Sequence, residues 1–469
     1  MSKPINWLKV NFERDITLPL LNWANNSARG LFLKGPRQVG KTHVLKKLGE
    51  NQCFSGCVYV DLRDDEIREW LETNRNGIKW YERFKLLADN FTGCILHGTP
   101  FAANKKIPLI ILDEIQESPK MFNRIRDIIN EQKVKLAVSG SYLGIAEFEN
   151  RFSSIGQAYF SPVGDVEPME MKTLTYRETV RLCKQLMPEF PKEEIFARYF
   201  RYGGYPAVIK TWLRQEDKNA RDAECRKDLL HIYKILMQDA QRYINEPLPQ
   251  SVWDRLFIGV AQQIEKKQDI IKRHDQQITY KLRIPDANAA GRDNKISMME
   301  WMLACNLLWN GEVTGSLNNL NKISKRSYYF ADQGLLFLAF VNSVLYPSLP
   351  IDRGNMPGIL AENFVALALS EFMVPLSYAK TGGEIDFLYK KYMDKLPDSI
   401  EVKYSGGNTI TSDNALRDGK VKRIIKIQGN PGQSTDTHII YPIRDIDNFG
   451  VFLGYPDDYN MYSVPELDF

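Results

Sequence analysis

The chain has 469 residues, of which 43% are hydrophobic and 26% are charged, and its formal net charge is +4. This composition is typical of a soluble globular protein, and the length predicts about three or four domains rather than one core. The small net charge argues neither for nor against a nucleic-acid partner, so any basic surface must be local. Because no window has the roughly 18 apolar residues of a membrane span and no apolar signal segment lies near the start, we expect a cytoplasmic protein without a membrane partner.

The six cysteines are sparse for this length, which favours a reducing compartment over a disulfide-stabilised fold. Four residues could form a zinc site, because three residues separate Cys53 from Cys57 and two separate Cys94 from His97. The alternative is that Cys57 opens a buried strand and that the other thiols are unrelated. The unusual spacing of the first pair favours this alternative.

The first 140 residues alternate between predicted strands and helices. Apolar runs predict short strands at 29–34, 57–62, 107–112 and 134–138. A helix is predicted from residue 41 to about residue 48, and another follows the third strand. The apolar residues of that second helix recur at helical spacing: Met121, Phe122, Ile125, Ile128 and Ile129. Strands that alternate with helices predict a parallel sheet with helices on both faces.

The pattern changes after about residue 170. Residues 175–245 are predicted to be mostly helical, with a turn at 203–206 that leaves Tyr205 packed. Helices are also predicted at 296–309 and 359–372. Strands are predicted after them at 375–379, 384–389 and 399–404.

A Gly-rich segment joins the first predicted strand to the first predicted helix. Its residues match the pattern GxxxxGK[ST]: Gly35, Pro36, Arg37, Gln38, Val39, Gly40, Lys41 and Thr42. In such a loop the backbone N–H groups wrap phosphates, the lysine neutralises the β- and γ-phosphates, and the last hydroxyl binds Mg²⁺. Since a strand precedes the loop and a helix follows it, the segment predicts binding of ATP with Mg²⁺ rather than a chance turn.

Two carboxylates follow the buried strand at 107–112. Asp113 is placed to hold Mg²⁺, directly or through water, and Glu114 is placed to polarise the attacking water as a general base. The alternative is that the acidic pair caps a helix. Next to a phosphate loop, the pair favours hydrolysis of ATP over passive binding.

Ser139 follows the next predicted strand, in the sequence Val-Ser-Gly-Ser. A small polar residue at this place could contact the γ-phosphate and respond to its presence. A simple Ser-Gly-Ser turn explains the same pattern equally well.

An ordered set of motifs resembles a widespread group of prokaryotic ATPases of the AAA+ superfamily, whose C-terminal domain of unknown function resembles restriction endonucleases. The first motifs are GPRQVGKT, LIILDEIQ and VSGSYL. The later ones are FSPVGDVEPMEMKTLTYRE, YFRYGGYPAVI, YYFADQGLLFLAF, ILAENFVALAL, GGEIDFLY and SIEVK. A phosphate loop is specific only to a superfamily, whereas the ordered set is specific to this group and extends over nearly the whole chain.

The resemblance implies an α/β fold in four parts. These are an AAA+-like P-loop NTPase core with a parallel sheet at 1–170, a helical segment at 171–245, a winged-helix-like domain at 246–345 and an α/β restriction-endonuclease-like domain at 346–469. The resemblance also implies that Ser139 is a sensor residue.

One position departs from the group. Relatives often carry a basic residue where this chain has Asp165, and the nearest basic substitute is Arg151. In the relatives, that basic residue could reach the phosphate bound by a neighbouring subunit. This chain has lost such a contact at position 165. The oligomeric state stays open on the sequence.

Carboxylates near the C-terminus resemble the core of Mg²⁺-dependent nucleases. Fourteen residues separate Asp386 from Glu401, and Lys403 lies two residues further on the same face of a strand. Asp386 and Glu401 could hold one or two Mg²⁺ ions, Lys403 could orient water or steady negative charge, and Glu362 could add a ligand. The alternative is an ordinary charge pattern on an exposed strand.

The stretch from Lys266 to Lys295 holds eight Lys or Arg residues and four Asp, with Tyr280 among them. Contact with nucleic-acid phosphates is one interpretation, and a solvated surface is the other.

Three functions are compatible with this sequence. The leading hypothesis is Mg²⁺-dependent ATP binding and hydrolysis that drives a conformational switch or motor acting on DNA or another nucleic acid. The second is an ATP-gated, Mg²⁺-dependent DNA nuclease. The third is a non-catalytic protein in which ATP binding holds an assembly together.

Overall fold

The computed structural model describes residues 12–73, 77–102, 106–141, 164–241, 249–266, 271–274, 277–280, 301–303, 306–345, 355–380, 383–391 and 394–455. The described residues form two compact units. The N-terminal unit runs from Phe12 to Lys172 and includes Asn306, and the C-terminal unit comprises the other described residues from Thr173 onwards. Each unit has its own sheet.

The sheet of the N-terminal unit has six strands. They are β1 (Gly30–Lys34), β2 (Gly56–Asp61), β3 (Ile95–Gly98), β4 (Leu109–Asp113), β5 (Lys135–Gly140) and β6 (Val166–Glu170). The order across the sheet is β3-β2-β4-β5-β1-β6, and every pair is parallel except the edge pair of β2 and β3. The predicted parallel sheet is therefore confirmed. Every residue of β4 and β5 is buried, which explains the apolar runs at 109–112 in β4 and 136–138 in β5.

Helices cover this sheet. They are α1 (Thr17–Asn26), α2 (Lys41–Gly49), α3 (Asp65–Glu72), α4 (Trp80–Asn90), α5 (Pro119–Phe122) and α6 (Ile125–Asn130). Phe84 and Leu87 of α4 and Ile128 of α6 belong to one apolar cluster with the strand residues Val58 and Ile110. Burial of such side chains contributes roughly 1.5–3 kcal/mol each to folding.

The single helix predicted after β4 is wrong, because two short helices, α5 and α6, occupy that segment. The Ser118 side chain accepts from the Met121 N–H and caps α5, which begins with Pro119. The helix ends at Phe122, and the chain resumes helical structure at Ile125. The apolar spacing correctly predicts which side chains are buried, but it does not predict the break between α5 and α6.

Nine helices can be described in the C-terminal unit. They are α7 (Tyr176–Leu186), α8 (Lys192–Tyr202), α9 (Pro206–Arg214), α10 (Lys218–Gln241), α11 (Gln250–Lys266), α12 (Gln333–Asn342), α13 (Met356–Leu369), α14 (Ile410–Arg417) and α15 (Phe449–Leu453). Rings of α7 and α8 surround Phe364 of α13: Tyr176, Phe196, Tyr199 and Phe200 lie with ring centroids 5.1–5.9 Å from it. Aromatic contacts at such distances stabilise a core beyond the area they bury.

The C-terminal unit has a seven-stranded mixed sheet and a separate hairpin. The hairpin is formed by β7 (Ile271–His274) and β8 (Gln277–Tyr280). The sheet strands are β9 (Leu308–Thr314), β10 (Ile323–Phe330), β11 (Leu376–Lys380), β12 (Gly383–Tyr389), β13 (Asp398–Val402), β14 (Ile424–Gln428) and β15 (His438–Pro442). Their order is β10-β9-β11-β12-β13-β14-β15.

The helix predicted at 296–309 is wrong at its end. Residues 301–303 are helical, but Leu308 and Trp309 begin β9, where they pair with Phe330 and Tyr329 of β10. The strands β9 and β10 lie in the part predicted as winged-helix-like, and β9 also pairs with β11 of the part predicted as endonuclease-like. The four-part division of the chain stays a prediction.

The predicted turn at 203–206 joins α8 to α9, and Tyr205 is buried as expected. Gly203 has φ of 73°, and a Cβ atom there would come within 2.3 Å of Asp332 Oδ1. Asp332, the N-cap of α12, accepts from the backbone N–H groups of Gly204, Gly334 and Leu335 at 2.8–3.1 Å. This carboxylate therefore ties the turn to the start of α12, and we name the contact the Asp332 clamp.

No helix in the described part of the chain is both long and apolar enough to cross a membrane.

Candidate functional site

The phosphate loop lies between β1 and α2. Gly35 and Gly40 have positive φ values of 152° and 101°. A Cβ atom at Gly35 would come within 2.1 Å of the Met171 carbonyl oxygen, so only glycine fits there. Gly40 is the residue before α2, whose first N–H groups point towards the loop.

Lys41 is the first residue of α2, and only 7% of it is exposed. Its ammonium group donates to the carbonyl oxygens of Gly35 and Pro36 at 2.8 and 2.9 Å. The loop thus folds around the charged end of its own lysine. The contact of Lys41 with phosphates that the loop would wrap stays a prediction.

Asp113 is the last residue of β4 and is 1% exposed. Its carboxylate accepts from Thr42 Oγ1 at 2.6 Å and from Tyr59 OH at 2.9 Å, both at Oδ2. Its Oδ1 accepts from Ser139 Oγ and from the Glu114 N–H. Because β5 lies between β1 and β4, Ser139 stands between the phosphate loop and the acidic strand end.

Ser139 belongs to the buried strand β5, which extends through Gly140. The simple turn considered for this serine is therefore wrong. Its side chain is directed at Asp113, so the structure brings together Thr42, Asp113 and Ser139.

Glu114 has the left-handed backbone conformation, with φ of 55° and ψ of 48°. A non-glycine residue rarely adopts this conformation, and such strain concentrates at functional sites. The Gln116 side chain donates to Glu114 Oε2. The contact with Gln116 holds this half-buried carboxylate next to Asp113.

Tyr59 was not predicted as part of the site. Its hydroxyl donates to Asp113, and the Lys46 ammonium lies 3.9 Å from the centre of its ring. Burial raises the pKa of Tyr59, and the charge of Asp113 raises it further, so the hydroxyl keeps its proton and remains a donor. In sequence, a tyrosine within an apolar strand indicates only core packing.

Residues 27–180 match the family model described as "AAA domain". This part of the chain is similar to an AAA domain, which agrees with the P-loop ATPase core expected from the sequence. Two solved structures are also similar in part. A Walker-type ATPase of Pyrococcus abyssi has 13% identity and a TM-score of 0.45, and the match covers 72% of this chain and 99% of that one. A STAND (Signal Transduction ATPase with Numerous Domains) protein with a tetratricopeptide repeat sensor, from Pyrococcus horikoshii, has 14% identity and a TM-score of 0.27, with 78% and 50% covered. No curated protein matches the chain.

Asp165 lies in the part of the chain that matches the AAA model, where it forms an ion pair with Arg126 at 2.6 Å and its carbonyl accepts from the Gly30 N–H. This contact gives Asp165 a structural partner beside β1 and β6. Arg151, the substitute named from the sequence, lies outside the described residues.

The C-terminal carboxylates also come together. Asp386 on β12 and Glu401 on β13 flank Lys403, whose ammonium lies 3.0 Å from Asp386 Oδ2 and 2.8 Å from Glu401 Oε2. The Val402 N–H donates to Asp386 at 2.8 Å, and Ser412 of α14 donates to Glu401. Ser412 was not predicted, because it lies eleven residues beyond Glu401 on a different element.

Burial determines the electrostatics of this cluster. Burial raises the pKa of Glu401, which is 3% exposed, and the charge of Asp386 raises it further. Burial by itself would lower the pKa of Lys403, but the two carboxylates outweigh it and raise that pKa. Lys403 is therefore protonated at neutral pH and neutralises one of the two acids.

Two other sets of predicted ligands can be compared with the structure. Among the described residues, no group of three or more His, Cys, Asp and Glu could hold a metal ion, so the zinc site considered at Cys53, Cys57, Cys94 and His97 is not formed. Glu362 lies half-buried on α13 and does not complete a three-carboxylate group with Asp386 and Glu401. Its role as a ligand stays a prediction.

Proposed function

We propose that the AAA domain binds ATP with Mg²⁺ and hydrolyses it, and that this cycle drives a switch or motor acting on nucleic acid. The observation that best supports hydrolysis is the convergence of three chain segments on one carboxylate. Thr42, the last residue of the phosphate-loop motif, and Ser139 of β5 both donate to Asp113, the last residue of β4. Glu114, the proposed general base, follows this carboxylate directly.

The donor set at this place fits Mg²⁺. Thr42 Oγ1 and Asp113 Oδ2 lie 2.6 Å apart, and both are hard oxygen donors of the kind that Mg²⁺ prefers. Thr42 would bind the ion directly, and Asp113 would hold it directly or through water. Bound Mg²⁺ would supply charge that neutralises the β- and γ-phosphate oxygens.

In the proposed reaction, Glu114 accepts a proton from water while the water oxygen bonds to the γ-phosphorus. The bond between that phosphorus and the β–γ bridging oxygen breaks, and its electron pair stays on ADP. Lys41 holds the phosphates, and Ser139 responds to the γ-phosphate through its contact with Asp113. The products are ADP and inorganic phosphate.

The central test is phosphate release by the full chain with Mg²⁺ and ATP. Lys41→Ala should abolish both binding and turnover, whereas Glu114→Gln should keep ATP binding and lose turnover. Lys85→Ala is a matched control, because Lys85 is an exposed lysine of α4 in the same domain. ATP hydrolysis is refuted if Lys41→Ala and Lys85→Ala behave alike. Binding without turnover in the wild type would favour the non-catalytic assembly protein.

A second candidate function is an Mg²⁺-dependent nuclease at the C-terminal cluster. The observation that favours it is the contact of Lys403 with both Asp386 and Glu401, since carboxylates beside a lysine suit phosphodiester hydrolysis. The test is cleavage of DNA and RNA with Mg²⁺ or Mn²⁺, with and without ATP. If the wild type cuts no better than Lys403→Ala, this candidate fails.

The nucleic-acid target rests on the sequence between Lys266 and Lys295, most of which lies outside the described residues. Binding that falls steeply with salt would support phosphate contact by this stretch. Binding that is absent, or insensitive to salt, would assign its lysines and arginines to a solvated surface.

A further inference from the structure

Arg63 lies on the loop between β2 and α3, at the carboxyl edge of the sheet. The preceding strand β2 is the neighbour of β4, and Asp61 pairs in register with Asp113. The Leu62 N–H donates to the Asp113 carbonyl at 3.1 Å. Because parallel strands place their following loops at one edge, Arg63 shares that edge with the phosphate loop and with Glu114.

Asp61 holds the Arg63 side chain in one orientation. Asp61 Oδ1 accepts from Arg63 Nε at 2.9 Å, and Oδ2 accepts from Nη2 at 2.6 Å. Asp61 Oδ1 also accepts from the backbone N–H of Arg63 at 3.0 Å. A guanidinium bound through two of its nitrogens is fixed in plane, which prepares it to bind oxygen atoms with its remaining donors.

The remaining donors of Arg63 are available. Nη1 makes no hydrogen bond to any described residue, and 54% of the side chain is exposed. Asp61 raises the pKa of Arg63 through its hydrogen bonds, and the charges of Glu114 and Asp113 raise it further, so Arg63 lies within electrostatic reach of both carboxylates. A permanent positive charge beside the predicted general base lies close to where the γ-phosphate would react. There it would stabilise the negative charge that develops on the phosphate oxygens in the transition state.

A structural role explains this arrangement less well. The hydrogen bonds of Arg63 in the described structure go only to Asp61, two residues earlier, so they join no distant parts of the fold. The loop is instead supported by Arg68, which donates to the Leu62 carbonyl at 3.1 Å and pairs with Asp65. An exposed local pair of this kind contributes little to stability.

We propose that Arg63 is a catalytic residue that contacts the γ-phosphate of the ATP bound to its own chain, with Asp61 as its positioning residue. The inference rests on the proposed ATP hydrolysis and adds the cation that stabilises its transition state. Nη1 of Arg63 donates to γ-phosphate oxygens while the bond to the bridging oxygen breaks. Arg63 forms no covalent bond and transfers no proton.

The first experiment separates binding from catalysis. We compare the full-length wild type with Arg63→Ala for phosphate release, and for calorimetric affinity towards Mg²⁺-ADP with and without aluminium fluoride, which mimics the transferring phosphoryl group. Turnover of Arg63→Ala should fall about 100-fold or more, because arginines of this kind contribute 10³- to 10⁵-fold. Affinity for ADP with aluminium fluoride should fall at least about tenfold, and affinity for ADP alone should stay within about twofold.

Two further variants sharpen this comparison. Arg124→Ala is the matched control, because Arg124 is 59% exposed and pairs with an aspartate of the same domain at 3.1 Å. It should match the wild type in every measurement. Asp61→Asn should lower affinity for ADP with aluminium fluoride by less than Arg63→Ala does, and should leave ADP affinity unchanged.

The second experiment tests whether Arg63 acts within its own chain. Arg63→Ala and Glu114→Gln chains are mixed, so that each supplies what the other lacks. Turnover of the mixture should equal the sum of the two separate activities. Recovery of turnover in the mixture would show that Arg63 serves a neighbouring chain, and would overturn the proposal.

The remaining outcomes are also decisive. If the wild type hydrolyses ATP and Arg63→Ala equals Arg124→Ala, only the role of Arg63 is wrong. The same holds if Arg63→Ala loses ADP affinity as strongly as it loses affinity for ADP with aluminium fluoride. If the wild type and Lys41→Ala are equally inactive, the proposed ATP hydrolysis itself is wrong.

Discussion

The two carboxylate clusters of this chain differ in how their charge is balanced. At the nucleotide site, the hydrogen bonds to Asp113 come from neutral groups, namely three hydroxyls and a backbone N–H. At the C-terminal cluster, Lys403 lies within 3.0 Å of both Asp386 and Glu401. The first arrangement leaves the negative charge for a cation from solution, whereas the second already contains its cation. A metal ion at the first cluster would replace hydrogen bonds from neutral groups, whereas at the second it would have to share the carboxylates with Lys403 or displace it.

The largest expected effect tests whether the nucleotide site uses the negative charge of Asp113. Asp113→Asn keeps one oxygen acceptor, replaces the other oxygen by an NH2 donor and removes the charge, so turnover should fall roughly a thousandfold, about 4 kcal/mol. Phosphate release at saturating Mg²⁺ and ATP measures the effect. Asp127→Asn, an exposed aspartate in the same domain, is the control. Equal turnover of the two variants would mean that the charge of Asp113 is not used.

The second effect concerns the internal cation of the C-terminal cluster. Lys403→Ala leaves two buried carboxylates without a counter-charge, and should lower the stability of the C-terminal unit by about 3 kcal/mol at pH 8. Denaturant unfolding of the full chain measures it. Lys420→Ala, which removes an exposed lysine 3.6 Å from Asp418, should change stability by less than about 0.5 kcal/mol. A similar small loss in both variants would show that Lys403 does not neutralise the cluster.

The third effect is the pH dependence of the same variant. The folded pKa of Glu401 lies above its ordinary value of 4.5 and should rise further when Lys403 is removed. A carboxyl with a raised folded pKa contributes stability below its unfolded pKa and loses it as pH rises through the folded pKa. The deficit of Lys403→Ala should therefore grow between pH 5 and pH 8. Thermal melting at both values measures it, and a deficit that shrinks with pH would contradict the assignment.

The smallest expected effect tests whether the neutral hydrogen-bond donors around Asp113 support turnover. Tyr59→Phe removes one hydroxyl from Asp113 and keeps the ring beside Lys46, so turnover should fall about fivefold, near 1 kcal/mol. Affinity for ATP should not change. Tyr81→Phe is the control, because Tyr81 packs edge-on against Phe101 in the same domain. If the two variants have the same turnover, the Tyr59 hydroxyl does not support Asp113.

The nucleotide site could be predicted where its chemistry follows a continuous motif. Lys41 and Thr42 are fixed by the Gly-rich loop, and Asp113 follows from an apolar strand that ends in an acid. Tyr59 and Arg63 could not be predicted, because their role depends on β2 lying next to β4. The local sequence pattern of a strand does not show which strands are its neighbours in the sheet.

The C-terminal unit shows the same limit. Alternation along a strand placed Glu401 and Lys403 on one face, and the structure brings Asp386 to them. Ser412 was missed because the contact comes from the packing of α14. Trp309 was placed in a helix because a short apolar run suits either a helix or a buried strand, and its pairing with Tyr329 decides between them.

The Asp332 clamp has a consequence for a chain that has been cut. Gly204 and Asp332 are 128 positions apart, yet they are joined by a buried hydrogen bond of 2.8 Å. A single protease cut in the chain between them would leave both fragments anchored at the same point of the C-terminal unit. We expect such fragments to elute together from a sizing column under native conditions and to separate only in denaturant, so that a nicked protein would pass for an intact one.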